Sequence, residues 1–135
     1  MESKKIEMSK NTPTKISDLQ KYSNGAVVEL PPFAEGMPIF ARLRRPSMMA
    51  LMADGKIPNS LLSAAESMFL NGVTDTEVSA KDMYSVMECM CRACMIEPTY
   101  QDIIDAGLQM TDEQMIFVFN YSQIGINALR SFRNN

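Results

Sequence analysis

The sequence has no histidine among its 135 residues. That absence removes imidazole bases, His-ligated metals and Ser-His or Cys-His nucleophile pairs together. Long apolar runs are missing as well. The longest, from Met48 to Ala53, is far too short to span a bilayer, and the charged, polar N-terminus lacks the apolar stretch of a signal peptide. A cytoplasmic protein with no membrane partner is expected. Glycine is sparse: Gly25, Gly36, Gly55, Gly72, Gly107 and Gly125 never approach a G-x-G-x-x-G or P-loop spacing, so no phosphate cradle is expected. Cysteine is confined to Cys89, Cys91 and Cys94. On a helix Cys91 and Cys94 share a face and Cys89 points elsewhere, with no further Cys or His to complete a ligand set. Free thiols packed as small apolar residues are expected, with no metal and no cofactor.

What is present in excess is methionine, 13 residues against 9 leucines, an inversion of the usual order. The length suits one domain, and the apolar fraction of 46% with 21% charged residues is that of a globular chain. Charge is unevenly spread. Residues 1–47 carry eight basic and five acidic side chains, whereas residues 48–129 carry three basic and eleven acidic ones, within a total of -3. A uniformly basic nucleic-acid-binding surface is therefore not expected, although the lysine-bearing front and the Arg42, Arg44, Arg45 group could meet an acidic partner surface.

Residues 1–21 carry lysines and hydroxyl side chains with scattered apolar residues (Ile6, Met8, Ile16, Leu19), and read as a flexible basic arm. Residues 22–135 then read as a single, mostly helical domain. Ala26 to Leu30 and Ile39 to Arg44 read as two short strands, joined by the Pro31 to Pro38 stretch with prolines at both ends. In the second strand Ile39, Ala41 and Leu43 alternate with Phe40, Arg42 and Arg44, which puts the arginines on the face away from the core. Helices follow. Ser47 caps one that stops at Asp54-Gly55, and Pro58-Asn59 opens another, Ser60 to about Leu70. Ser79-x-x-Asp82 opens a longer helix to about Ile96, Thr99-x-x-Asp102 a short one ending at Gly107, and Thr111-x-x-Gln114 a final one to about Phe132. The expected fold is mainly α, a compact bundle of about five helices with a small N-terminal β-hairpin and a flexible arm.

Ten of the thirteen methionines fall between Met48 and Met115. Met83, Met87 and Met90 are spaced i, i+4, i+7 and form one helical stripe. Such a stripe fills a core by default. The sharper alternative is a pliable apolar surface that repacks around helical partners, with Met48, Met49, Met52, Met83, Met87 and Met90 as its contact set. Carboxylate pairs such as Asp102/Asp105 and Asp112/Glu113 sit at helix N-termini, where the helix dipole already explains them, so no catalytic residues are nominated.

Specific segments carry more. Val27-Val28-Glu29-Leu30-Pro31-Pro32-Phe33, the block Ala41-Arg42-Leu43-Arg44-Arg45-Pro46-Ser47-Met48-Met49-Ala50-Leu51 with Gly55-Lys56-Ile57-Pro58-Asn59-Ser60-Leu61-Leu62, and Glu97-Pro98-Thr99-Tyr100 with Leu108 to Gln114 form one pattern. Together with Phe119-Asn120-Tyr121 and Ala128 to Arg133, it resembles the tail assembly chaperones of bacteriophages and prophages with long, non-contractile tails. The resemblance covers roughly residues 22–133, and the R-R-P-S to K-I-P-N-S-L-L block is its most specific part. It implies a non-enzymatic protein of the host bacterial cytoplasm that coats the tape measure protein, brings tail tube protein to it, and self-associates along that client. Two readings stay open beside it. One is a structural tail or connector protein retained in the virion, and the other a small phage nucleic-acid-binding or regulatory protein.

Overall fold

The computed structural model describes residues 12–73 and 77–123. In chain order these form α1 (Ile16–Ser23), β1 (Ala26–Ala34), β2 (Met37–Leu43), α2 (Met48–Ala53), a 3-10 turn (Asn59–Leu61), α3 (Leu62–Asn71), α4 (Ala80–Cys94), β3 (Met95–Glu97), α5 (Tyr100–Asp105) and α6 (Asp112–Ser122).

The helical-bundle expectation is overturned. Among the described residues six α-helices accompany a three-stranded antiparallel sheet of order β1-β2-β3, with 54% helix and 17% strand, an α/β mix. The third strand comes from residues expected to continue a helix to Ile96. That helix stops at Cys94, and Met95–Glu97 pairs with β2 through Leu43↔Met95 and Arg42↔Glu97. Two constraints act against the helix there. Glu97 precedes Pro98, which disfavours helical backbone, and an unpaired β2 edge would leave its N–H and C=O groups without partners. Arg44 extends the pairing past the strand, its backbone N–H donating to the Cys94 carbonyl oxygen at 2.9 Å.

The hairpin is longer and its turn tighter than the prolines suggest. Pro31 and Pro32 lie inside β1 and Pro38 inside β2, and the turn is only Glu35-Gly36, with Gly36 at φ 79°. Between the Leu30↔Ile39 and Ala34↔Met37 pairs β1 runs two residues longer than β2, so the prolines sit where the ladder is interrupted. β1 is also an edge strand, where a missing N–H is tolerated. The period-two reading of β2 holds. Ala41 and Leu43 are buried beneath the sheet, Ile39 is half-buried, and Phe40 is exposed on the other face.

Where the expected arm adjoins the domain, residues 16–23 form α1, none of whose residues is buried. Residues 1–11 of that arm lie outside the described residues. So does the expected continuation of the final helix to Phe132, since the description ends at Gln123.

The core lies between the inner sheet face and the helices. Leu30, Ala41 and Leu43 meet Met68 and Phe69 of α3, Val86, Met87, Met90, Cys91 and Cys94 of α4, and Met115, Val118 and Phe119 of α6 in one cluster. The Phe69 and Phe119 rings stack at 5.9 Å between centroids. Local signals start the helices as the sequence indicates. Ser47 and Ser79 accept from the backbone N–H groups of Ala50 and Asp82, and Thr99/Asp102 and Thr111/Gln114 form reciprocal capping boxes. Gln114 does more than cap. It is fully buried, its Oε1 accepts from the Thr111 N–H at 2.9 Å, and its Nε2 donates to the Pro31 carbonyl oxygen at 2.8 Å. The start of α6 is thereby tied to the interrupted stretch of β1.

Candidate interaction surfaces

The segment after β2 is basic, then apolar, and the structure gives its residues distinct tasks. Arg42 Nε lies 4.0 Å from Glu97 Oε1 across the β2–β3 pair. Arg44 Nε donates to the Ala93 carbonyl oxygen at 2.9 Å, in the last turn of α4. Arg45 Nε donates to the Tyr121 carbonyl oxygen at 2.9 Å, in the last turn of α6, with its guanidinium carbon 3.9 Å from the Tyr121 ring centroid. Both helix ends carry unpaired carbonyls and the negative pole of the dipole, so each arginine satisfies a bond and a charge together. The three arginines named as an electrostatic contact set therefore each have a partner within the fold.

Pro46 and Ser47 then turn the chain into α2, six residues that are all apolar, of which only Met48 is buried. Gln123 Nε2, at the end of α6, donates to Met48 Sδ at 3.5 Å. This contact to Met48 and the Ser47 cap on the Ala50 N–H hold the first turn of the helix. Met49, at 81% exposure, and Ala50 and Ala53 face outward, and Leu51 and Met52 are half-buried. The result is an apolar helix on the surface, uncovered on one side.

The other named methionines divide differently. Met87 and Met90 are core residues, and Met83 is partly buried against the same cluster. The i, i+4, i+7 stripe is thus chiefly core. Of the six methionines in the contact set, the structure leaves Met49 accessible, packs Met52 and Met83 half-buried against the core cluster, and turns Met48, Met87 and Met90 inward.

The thiols follow their helix positions. Cys91 and Cys94 are buried and Cys89 is half-buried, all three free. Burial pushes Cys91 and Cys94 up to about 12, the Cys94 thiol against the opposing pull of Arg44 and Arg45. Cys89 is raised by burial and by Glu88. These are unreactive thiols at neutral pH. Among the described residues no three Cys, Asp or Glu side chains gather as a metal-holding group. No helix among them is long and apolar enough to cross a membrane.

A second polar cluster joins α4 to α5. Arg92 donates to Gln101 at 3.2 Å and Glu88 at 3.5 Å, and its guanidinium carbon lies 4.6 Å from the Tyr100 ring centroid. Burial, a hydrogen bond with Tyr84 and the Glu88 carboxylate raise the Tyr100 hydroxyl well above the usual phenol range. Outside α2, exposed apolar residues include Ile16, Leu19 and Tyr22 on α1 and Val27 and Phe40 on the outer face of the hairpin, with Met37, Leu70, Tyr84, Ile104 and Leu108 scattered elsewhere. The i, i+3, i+6 spacing of Ile16, Leu19 and Tyr22 is the sequence signal for α1.

No family model, no curated protein and no solved structure matches this chain.

Proposed function

We propose that the protein is a non-enzymatic tail assembly chaperone, acting in the cytoplasm of a bacterial host, which holds the tape measure protein of a long-tailed phage soluble and brings tail tube protein to it. The observation that carries this reading is α2. A helix of six apolar residues is left with one side open, immediately after the Arg-Arg-Pro-Ser segment on which the family resemblance is most specific. A tape measure protein is a long amphipathic helix in this reading, and such a client calls for apolar anchors that adapt to its side chains. Met49 supplies the exposed anchor, with the half-buried Met52 beside it. Thioether side chains are flexible and polarizable, and accept varied apolar partners at small cost in fit. The backing of α2 by Met48, Gln123 and the Arg45–Tyr121 contact presents those anchors on a fixed base.

Co-expression with the cognate tape measure protein tests the reading. Soluble client should be recovered only when this chain is present, and a Met49→Ser/Met52→Ser variant that folds should lose the rescue. An insoluble client in the presence of wild-type chain would overturn it. Mass spectrometry of purified virions should find the chain absent, and its presence there would favour a structural tail protein instead.

A further inference from the structure

We propose that Met49 is a site of reversible oxidation by peroxide, at which conversion of the thioether to the sulfoxide switches off the α2 surface. The effect on the client rests on the chaperone reading, whereas the oxidation rests on how the fold sorts its sulfur atoms. Met49 is 81% exposed, more than any other large apolar side chain among the described residues. Met68, Met90 and Met115, at 2% exposure or less, and Met48, at 7%, lie within the core cluster. Met37 is the other open thioether among the described residues, at 64%, and it stands at the hairpin turn where β2 begins. The thiols are no alternative target. Cys91 and Cys94 are buried and Cys89 is half-buried, and burial holds the protons of all three at neutral pH. Peroxides react with the thiolate and not the thiol, so the accessible thioether is the sulfur they meet.

In the forward step a sulfur lone pair attacks one oxygen of hydrogen peroxide. The O–O bond breaks as the S–O bond forms, and after proton transfer the second oxygen leaves as water. Sulfur is oxidised by two electrons and the peroxide reduced by two. A methionine sulfoxide reductase reverses this with a dithiol, which becomes a disulfide while the oxygen departs as water. The sulfoxide is polar, and a client covering it must bury an oxygen acceptor. α2 brings no side-chain donor to meet that oxygen, because all six of its residues are apolar. The fold is spared. The Ser47 cap bonds the Ala50 N–H and Gln123 bonds Met48, and neither contact involves the Met49 side chain. Oxidation therefore alters the surface of α2 and leaves its base in place.

Limited treatment of the folded full-length chain with hydrogen peroxide, followed by peptide mass mapping, tests the site. Met49 and Met37 should gain one oxygen well before Met48, Met68, Met90 and Met115, with the circular dichroism spectrum unchanged. Denatured tape measure protein diluted into treated or untreated chain then tests the consequence by light scattering. Treatment should weaken client holding about tenfold or more, and a sulfoxide reductase with its dithiol should restore it. A Met37→Leu chain should lose holding on treatment as the wild type does, whereas a Met49→Leu chain should hold equally before and after. Oxidation of Met49 no faster than of Met90, unfolding on treatment, or a loss of holding that Met49→Leu shares overturns the proposal. An untreated chain that fails to hold the client sinks the chaperone reading instead, and the order of oxidation still decides the site.

Discussion

Arg45 and Tyr121 are joined twice: the guanidinium donates to the tyrosine's own carbonyl oxygen at 2.9 Å and lies over its ring at 3.9 Å. The two residues stand 76 positions apart, so the pair binds the end of α6 to the segment that launches α2. One planar side chain does this because a guanidinium can both hydrogen-bond along its edge and stack through its face.

Loss of that pair should be measurable. Arg45→Ala is expected to cost about 1–2 kcal/mol, from one charge-assisted bond and one exposed cation–π contact. Arg45→Lys should recover only part, since an ammonium cannot make both contacts in the same geometry. Urea denaturation midpoints for the three proteins check this, and equal midpoints for Arg45→Lys and wild type would show the stacking to be inconsequential.

Gln114 should be harder to replace than an ordinary cap. Its removal as Gln114→Ala leaves the half-buried Thr111 N–H and Pro31 carbonyl without their partner, an expected loss of about 2 kcal/mol. Asp102→Ala, in the exposed capping box of α5, should lose about 1 kcal/mol or less. Thermal melts of the two variants should rank in that order.

Two glycines make a further contrast. Gly25→Ala meets the Leu43 carbonyl oxygen at a left-handed φ and should cost more than about 2 kcal/mol. Gly36→Ala, left-handed with open space around it, should cost about 1 kcal/mol, the backbone penalty alone. Similar losses at both sites would mean that the approach to Leu43 relaxes freely.

The buried thiols set an alkaline limit. Cys91 and Cys94 titrate near 12 in the fold and near 9 when unfolded, so the native state holds their protons longer. Their contribution is fully present below about pH 9 and is lost as pH rises toward about 12, by at most roughly 1.4 kcal/mol per pH unit for each thiol. Cys91→Ser/Cys94→Ser should flatten the stability curve in that window. Alkylation of native protein at neutral pH should reach Cys89 well before the other two.

The methionines separate stability from binding. Met90→Ala, at a fully buried site, should lose about 2–5 kcal/mol, whereas Met49→Ser should change stability by about 0.5 kcal/mol or less and still impair client rescue. Denaturation and co-expression on the same two variants give the comparison.

What the sequence disclosed was mostly local. Ser47, Ser79, Thr99 and Thr111 marked helix starts because the capping chemistry lies within three residues. The alternation in β2 marked its inner face for the same reason. What escaped was set by distant partners. Met95 and Ile96 looked helical until β2 claimed them, and nothing near Arg44 or Arg45 foretells a carbonyl 49 or 76 residues away. The methionine stripe shows a limit of another kind. Periodicity found that Met83, Met87 and Met90 share a face, but core and partner surfaces obey the same spacing. Met49, which breaks that pattern by facing outward, is the one that α2 leaves accessible.

The late arrival of β3 has a bearing on synthesis. As the chain leaves the ribosome β1 and β2 can pair at once, whereas the strand that completes the sheet follows α2, α3 and α4. Until then the inner edge of β2 offers its hydrogen-bonding groups to any extended segment nearby, beside the exposed Phe40. A nascent chain stalled before residue 95 would therefore carry an adhesive hairpin, and its escape from aggregation depends on how quickly Met95, Ile96 and Glu97 emerge to close it.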